Sequence, residues 1–277
     1  MLDTILLNAM LRALEPGTHL LLVCYADQLP SVGAGDVLRD LIASEALPIT
    51  RLTQIYRQAA DSYIIQNAHL INQGEIPETP KESGDFFRFP ANSPEEAADW
   101  VVDLVRNRIP ERFGLDPFNE IQVLAPMYRG AAGITSLNEK LQEALNPGGP
   151  LIPEKRLFGQ TFRPGDKVMQ IKNDYDRGVF NGDIGLITEI SAMDTVMLVE
   201  FEGRKIEYPF SEADQLVLAY AVSVHKAQGS EFPAIVLPLL TQHYMMLQRN
   251  LLYTAVTRAQ KLCVLVSNRK AMEVGVK

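Results

Sequence analysis

Short, continuous apolar runs separated by amphipathic segments are the feature that most constrains this sequence. Runs of about four to eight apolar residues without polar alternation are typical of strands buried on both faces of a parallel sheet. The segments interpreted as strands are HLLLVC (19–24), ITRLTQIY (49–56), EIQVLAP (120–126), AIVLPLL (234–240) and KLCVLVSN (261–268). Helical patterns separate them, so the sequence predicts an α/β fold with a parallel sheet flanked by helices.

The predicted helices carry recognisable boundary signals. SPEEAADWVVDLVRNRI (93–109) places Ser93 as N-cap and Pro94 in the first turn, and both residues favour helix initiation. DSYIIQNAHLINQG (61–74) ends at Gly74, a common helix terminator. The other helical patterns cover residues 4–14, 35–44, 133–145 and 246–260.

The pattern changes between Phe162 and about Phe210. This region carries short strand patterns and turn signals, among them NGDIGLITEI and TVMLVEFEG. Short strands separated by Gly-containing turns are typical of a small β-barrel. The α/β pattern returns after Asp214. The sequence therefore predicts a β module inserted into an α/β domain.

Composition narrows the class of protein. The 277 residues are 47% hydrophobic and 22% charged, which suits one large or two ordinary globular domains. No apolar run approaches the roughly 18 residues of a membrane span. Cys24 and Cys263 are too few for a disulfide framework or a Cys-x-x-Cys metal site, so a cytoplasmic location is expected and no metal ligands are predicted. The net charge of −8 counts mildly against nucleic-acid binding, although phosphate contact needs only a local basic surface.

Two polar clusters follow the first two predicted strands. ADQLPSVGAGD (26–36) places Gln28 where ligands collect in parallel sheets, and TQIYRQA (53–59) places Arg57 and Gln58 just after a strand. An Arg fork suits phosphate oxygens. Each cluster has an ordinary alternative: a plain turn-rich loop for the first and a surface Arg for the second.

The segment SVHKAQGSEF (223–232) is the densest polar cluster. Gly229 permits close backbone approach, and Glu231 is a candidate acceptor for a ribose hydroxyl. The candidates for contact with a nucleic-acid backbone are Ser223, His225 and Lys226. The alternative is an ordinary loop whose polar groups are hydrogen-bonded within the protein, with one buried histidine.

NLLYTAVTRAQ (250–260) has Arg258 as its one strong cation. An Arg directed at transferring phosphates stabilises the charge of their transition state. The alternative is an Arg that complements the dipole at a helix C-terminus.

Taken together and in order, these and neighbouring blocks resemble superfamily 1 DNA helicases of the RecD-like group. The blocks are DQLPSVGAGDVLRDLI, TQIYRQA, VLAPMYRG, GDKVMQIKNDYDRGVFNGDIG, AYAVSVHKAQGSEFPAIVLPL and RNLLYTAVTRA. The resemblance runs over essentially the whole chain. It implies two RecA-like lobes with ATP and Mg²⁺ between them, and a small SH3-like β-barrel inserted in the second lobe.

The resemblance also implies domain boundaries. Residues 1–74 correspond to the C-terminal part of the first RecA-like lobe and residues 75–150 to the first segment of the second lobe. Residues 151–214 correspond to the inserted SH3-like β-barrel. Residues 215–277 correspond to the second segment of the second lobe, which is UvrD-like.

Nucleotide contacts are implied for residues of both lobes. The resemblance places Gln28 and Arg57 near the γ-phosphate and makes Arg258 an arginine finger. Gly229 and Glu231 correspond to residues that touch the nucleotide.

DNA contacts are implied for the polar segment 223–232 and for the barrel. Ser223, His225 and Lys226 correspond to residues that touch single-stranded DNA. The barrel helps to hold the strand in RecD-like enzymes. Its candidate exposed cations are Lys167, Lys172 and Arg177, each of which is equally well explained as part of a solvated face.

The sequence departs from the family pattern in three places. It contains no G-x-x-x-x-G-K-[ST] phosphate loop and no Asp-Glu pair, and Cys24 and Tyr25 replace the usual Gly-Asp ahead of DQLP. The chain therefore resembles the C-terminal portion of a RecD-like helicase. Little or no ATP hydrolysis is expected from this portion alone.

Two main functional hypotheses follow. In the first, the chain is a portion of an ATP-dependent 5′–3′ DNA helicase that translocates on single-stranded DNA and unwinds duplexes in repair or recombination. It would act with the missing N-terminal half or with other repair proteins, and away from membranes. In the second, it is a non-catalytic truncated remnant that binds single-stranded DNA or a partner protein. A viral-type RNA helicase of the same superfamily fits the residues around 223–240 less well.

Overall fold

A computed structural model describes residues 2–51, 62–80 and 84–277. These residues form two compact units, Met1–Ser62 and Tyr63–Lys277. The helices are α1 (Thr4–Ala13), α2 (Val37–Ser44), α3 (Tyr63–Gln73), α4 (Pro94–Asp103), α5 (Ile109–Phe113), α6 (Ile134–Leu145), α7 (Arg249–Val256) and α8 (Arg269–Gly275).

The strands seen in the described residues all belong to the second unit. They are β1 (Phe86–Pro90), β2 (Ile121–Ala125), β3 (Lys155–Leu157), β4 (Gln160–Phe162), β5 (Lys167–Gln170), β6 (Ile184–Ser191), β7 (Val196–Phe201), β8 (Arg204–Pro209), β9 (Leu216–Leu218), β10 (Ala221–Ser223), β11 (Phe232–Leu239) and β12 (Ala259–Ser267).

A five-stranded parallel sheet forms the centre of the second unit. Its strand order is β1-β12-β11-β2-β10, and every pair in it is parallel. All five residues of β2 are buried, as are the last six of β11. Each buried Val, Leu or Ile contributes about 1.5–3 kcal/mol relative to an exposed one, so these central strands anchor the core. The predicted α/β fold with helices around a parallel sheet is confirmed.

The helix predicted over 93–109 begins as expected. Ser93 Oγ accepts from Glu96 N at 3.1 Å, and Pro94 occupies the first turn. A π-helical turn, Leu104–Arg108, then joins α4 to α5. The wider turn brings the guanidinium of Arg108 to 4.8 Å from the centre of the Trp100 ring, a cation–π distance.

The predicted β module is a separate antiparallel sheet with a short hairpin beside it. The sheet order is β8-β7-β6-β5-β9, and β3 pairs with β4. Phe162, Phe201 and Tyr208 fill its interior. β9 still pairs with β5, so this sheet continues to Leu218, four residues beyond the end predicted from the sequence.

The prediction of a buried strand over 19–24 is wrong. These residues have no regular secondary structure, and Leu21 and Val23 are 84% and 86% exposed. The described part of the first unit contains no strand, so the apolar run has no sheet partner there. Most of the strand predicted over 49–56 lies outside the described residues.

The helix predicted over 246–260 is shorter than expected. A 3₁₀ turn covers Thr241–Met246, α7 ends at Val256, and β12 begins at Ala259. The helix ends early because Phe232 pairs with Ala259, which extends the sheet toward the helix. Among the described residues, every helix is too short or too polar to span a bilayer.

Gly185 in β6 provides a test of barrel packing. A Cβ at this position would lie 2.6 Å from the carbonyl oxygen of Glu200, so Gly185→Ala forces the β6–β7 pair apart. We expect a loss of about 1–3 kcal/mol in the free energy of unfolding, measured by urea denaturation. Gly149→Ala is the matched control, because its Cβ would meet only Ile152 at 3.7 Å. Equal stability of the two variants would contradict the described packing.

Candidate functional site

The carboxyl end of β10 carries the first group of predicted site residues. Ser223 is 6% exposed, and its Oγ accepts from the backbone N of Lys226 at 3.2 Å. The Ser223 carbonyl accepts from Ala227 N at 3.1 Å, which closes a tight turn. His225 and Lys226 are half-buried in this turn, and burial lowers the pKa of both side chains. The turn therefore holds a partly desolvated imidazole next to a partly desolvated lysine.

The segment between β10 and β11 crosses the sheet from one end to the other. β10 and β11 are parallel and flank β2, so the chain must return from the carboxyl end of one to the amino end of the other. Ser223 is in register with Ala125 at the last position of β2, whereas Phe232 pairs with Ala259 at the first position of β12. The two groups of residues predicted within 223–232 consequently lie at opposite ends of the strands.

The amino end carries the second group. Arg258 Nη1 donates to Ser230 O at 2.9 Å, and Phe232 N donates to Arg258 O at 2.9 Å. Glu231 accepts from the side chain of Gln260 at 3.2 Å. The fold thus brings Gly229 and Glu231 beside Arg258, although nearly thirty residues separate them in sequence.

This cluster has the chemistry of an anion site. Gly229 has a φ of 86°, and the space where its Cβ would lie is open for 4 Å. A left-handed glycine without a side chain lets another molecule approach the backbone closely. Arg258 as a residue is 6% exposed, and its guanidinium is fixed by Thr254 O, which accepts from Nε at 3.2 Å, and by Ser230 O, which accepts from Nη1. A fixed cation beside an accessible backbone turn suits a phosphate or a carboxylate.

In the first unit, Gln28 is half-buried in a turn. The loop after it packs on the start of α1: Thr4 N donates to Ala34 O at 3.0 Å, and a side chain on Gly33 would overlap the carboxylate of Asp3. Arg57 lies outside the described residues. The expected convergence of Arg57 and Arg258 on one phosphate therefore stays a prediction.

The prediction of an exposed cation at Lys167 is wrong. The residue lies in β5, is 4% exposed, and its Nζ donates to Ile121 O of the parallel sheet at 3.3 Å. Burial lowers its pKa to about 8. Strand alternation turns the side chain of Lys167 toward the parallel sheet instead of solvent, so DNA phosphates have no access to it.

The other two barrel cations are paired within the protein. Lys172 contacts Asp214 at 2.6 Å with over half of its side chain exposed. Arg177 contacts Asp174 at 3.0 Å and Glu212 at 2.7 Å, which holds its pKa above the usual value. Of the three cations, Lys172 is the one whose position leaves it most accessible to a strand of nucleic acid.

Comparisons with known proteins show which families this chain is similar to. Residues 137–201 match the model of the ATP-dependent RecD-like DNA helicase SH3 domain, 218–266 match the UvrD-like helicase C-terminal domain, and 1–86 match an AAA domain. The ATP-dependent RecD2 DNA helicase of Deinococcus radiodurans is 39% identical over 260 residues, which is 94% of this chain and 34% of that protein. This chain is a relative of the RecD-like helicases.

More distant RecD-like relatives align over the full chain. The RecBCD enzyme subunit RecD of Haemophilus influenzae is 24% identical over 100% of this chain and 51% of its own length. The chain thus spans about a third to half of the curated relatives it matches. A crystal structure of Pif1 helicase from Bacteroides with ADP-AlF3 and ssDNA shares the fold, with a TM-score of 0.51, 19% identity and coverage of 91% of this chain and 62% of that one.

Sequence reasoning missed the buried polar residues around the site of this RecD-like chain. Asn138, Gln142 and Asp166 are each at most 6% exposed. A signal was present: Asn138, Gln142 and Asn146 recur every four residues in a helix, which places three amides on one face.

Lys167 makes a prediction about pH. Its pKa is about 8 in the folded protein and near the ordinary 10.5 when unfolded, so the folded state loses the proton first as pH rises. Below pH 8 the buried Lys167 amine must be protonated in the folded state, which destabilises that state. The free energy of unfolding should therefore rise by about 2 kcal/mol between pH 7 and pH 9.5. Lys167→Met should remove this rise, as measured by urea denaturation at the two pH values.

The control for that measurement is Lys205→Met, which changes an exposed lysine of β8. It should keep the wild-type difference between the two pH values. A Lys167→Met protein whose stability changes with pH as the wild type does would show that Lys167 is not the titrating group.

Proposed function

We propose that this chain is a portion of an ATP-dependent 5′–3′ DNA helicase. In this proposal the turn after β10 binds single-stranded DNA, and the cluster at the amino end of β11 and β12 faces a nucleotide. Translocation, duplex unwinding and a role in repair or recombination are parts of the proposal that concern the whole protein. A cytosolic location also belongs to it, in keeping with one exposed and one buried free cysteine.

One observation carries the proposal. A single segment, residues 224–231, joins a polar turn at one end of the sheet to a glycine–arginine cluster at the other. A helicase must relate the state of its nucleotide to its grip on DNA, and a short backbone link between two such sites suits that need. The link is short, because only eight residues separate the end of β10 at Ser223 from the start of β11 at Phe232.

The DNA side of the proposal relies on Ser223, His225 and Lys226. Lys226 supplies a cation and Ser223 a hydroxyl, and both groups are common contacts to phosphate oxygens. Half-burial of Lys226 strengthens its attraction for a phosphate, because less water competes with it. Lys172 and Arg177 are proposed to add weaker contacts from the barrel.

The nucleotide side of the proposal relies on Gly229, Glu231 and Arg258 of the second unit. The open backbone at Gly229 and the neighbouring guanidinium fit a phosphate-bearing ligand. ATP supplies the free energy of hydrolysis when it is bound, and this chain's residues would bind and orient it. The described residues contain no group of three or more His, Cys, Asp or Glu that could hold a metal ion.

A second candidate function is a non-catalytic remnant that binds single-stranded DNA or a partner protein. The exposed apolar side chains of the first unit favour it, since Leu21, Val23 and Tyr25 are each more than 70% exposed. Such a surface is commonly covered by another polypeptide. Under this proposal the nucleotide cluster has no catalytic role.

DNA binding is tested by fluorescence anisotropy with a labelled oligothymidylate at several salt concentrations. We expect binding that weakens as salt rises, with about 0.7 in the logarithmic slope for each phosphate neutralised. Lys226→Ala should weaken binding several-fold and reduce the slope by the equivalent of about one phosphate. Lys270→Ala, an exposed lysine of α8, is the control and should match the wild type. Failure of the wild type to bind would refute the DNA-binding proposal.

ATP hydrolysis separates the two candidate functions. The chain has no phosphate loop, so we expect DNA-stimulated ATPase activity close to background. Robust turnover by this chain would rule out the remnant. Salt-sensitive DNA binding without turnover, and without any change when ATP is added, would favour the remnant over a helicase portion that senses nucleotide.

A further inference from the structure

The chain returns from the barrel to the parallel sheet through residues 219–221, and buried polar side chains hold this return segment. Gln122 Nε2 donates to two of its carbonyls at 3.0 and 3.1 Å. The Asn138 side chain donates to Ala221 O at 2.8 Å and accepts from Ala221 N at 2.9 Å. Ser223 follows two residues later. The position of the proposed DNA-binding turn therefore depends on this clamp.

Asn138 is the first member of a row of three amides on one face of α6, which we name the amide ladder: Asn138, Gln142 and Asn146. Gln142 and Asn146 each donate to a barrel carbonyl, at 2.9 and 3.0 Å. They also donate to the two carboxylate oxygens of Asp166, at 2.6 and 2.8 Å. One helix face thus holds both the return segment and the barrel.

Asp166 links the amide ladder to the barrel, and we name these four residues, Asn138, Gln142, Asn146 and Asp166, the joint. It is fully buried, and its two oxygens accept four hydrogen bonds in total. The donors besides the ladder are the hydroxyl of Tyr220 at 2.9 Å and the backbone N of Arg163 at 2.7 Å. Burial raises the pKa of Asp166, and these donors oppose that rise. A buried carboxylate is tolerated only while its donors stay in place, so the network favours one geometry.

We propose that the amide ladder and Asp166 are positioning residues for DNA binding. They fix the turn after β10 relative to the barrel, so that both surfaces contact the same DNA strand. This inference rests on the proposed DNA-binding function. None of the four side chains needs to touch DNA, because each is buried or half-buried against protein. Their effect is exerted on Ser223 and Lys226 on one side and on Lys172 on the other.

The alternative is that these residues only stabilise the fold, and the salt dependence of binding separates the two roles. Partial unfolding reduces the fraction of active protein but leaves the slope of the folded molecules unchanged. A shift in register leaves some phosphates without a protein cation, so it lowers the slope by about 0.7 for each of those phosphates. The slope is therefore the readout that a merely structural role would not move.

The experiment uses the full chain, labelled oligothymidylate and two variants at opposite ends of the joint, Asn138→Ala and Asp166→Asn. We expect each to bind about tenfold more weakly, with a slope lower by about 0.7 or more. The gain in affinity from short to long oligonucleotides should also shrink, because the two surfaces no longer follow one strand. Asp166→Asn keeps the size of the side chain and serves if Asn138→Ala does not fold.

Two controls complete the design. Asn107→Ala removes an exposed amide whose side chain donates to Asp103, away from the joint, and it should bind as the wild type does. Gly185→Ala destabilises the barrel through a clash with Glu200 and Phe201 without removing any side-chain hydrogen bond of Asp166 or the amide ladder, so it should keep the wild-type slope. Wild-type slopes in Asn138→Ala and Asp166→Asn would overturn the positioning role alone. Absence of wild-type binding would overturn both this inference and the function on which it rests.

Discussion

β10 and β11 each pair in parallel with β2, one on either side of it, and the rest of this structure depends on this constraint. Two parallel strands cannot be joined at one end of a sheet, so the chain between them must travel the length of the strands. Here only eight residues connect the two strands, and they carry three of the polar side chains that the sequence singles out: His225, Lys226 and Glu231. The separation into a polar turn at one end and a glycine–arginine cluster at the other follows from topology before any side chain is considered.

Arg258 illustrates how the same constraint places a residue from elsewhere in the chain. The crossover from β11 through α7 returns the chain to the amino end of β12, as parallel pairing of the two strands requires. Arg258 is the last residue before that strand, so it meets residues 229–231, which precede β11. Under the proposed function, the local charge at this point matters more than the net charge of −8, because a phosphate responds to the nearest cation.

Much of the second unit could be predicted from the sequence because its strands are apolar on both faces and its helices have clear caps. β2, β11 and β12 are examples, and the Ser93 cap forms as predicted. β1 and β10 were missed, since FFRFP contains a proline and AVS is too short to show a period. The prediction of a strand over 19–24 is wrong for a different reason. An apolar run indicates that its side chains favour burial, but it does not show whether the described chain contains strands that pair with it. Lys167 was misjudged because charge alone does not reveal which face of a strand points inward.

Asn138 has a consequence for solubility that follows from its two bonds to Ala221. β10 is the last strand of the parallel sheet, and the outer side of such a strand normally offers free backbone groups to any passing extended chain. A side-chain carboxamide places an N–H donor and a carbonyl acceptor side by side, much as a peptide unit does. The side chain of Asn138 therefore pairs with Ala221 as a neighbouring strand would, so the outward N–H and C=O of this edge residue are already bonded within the protein.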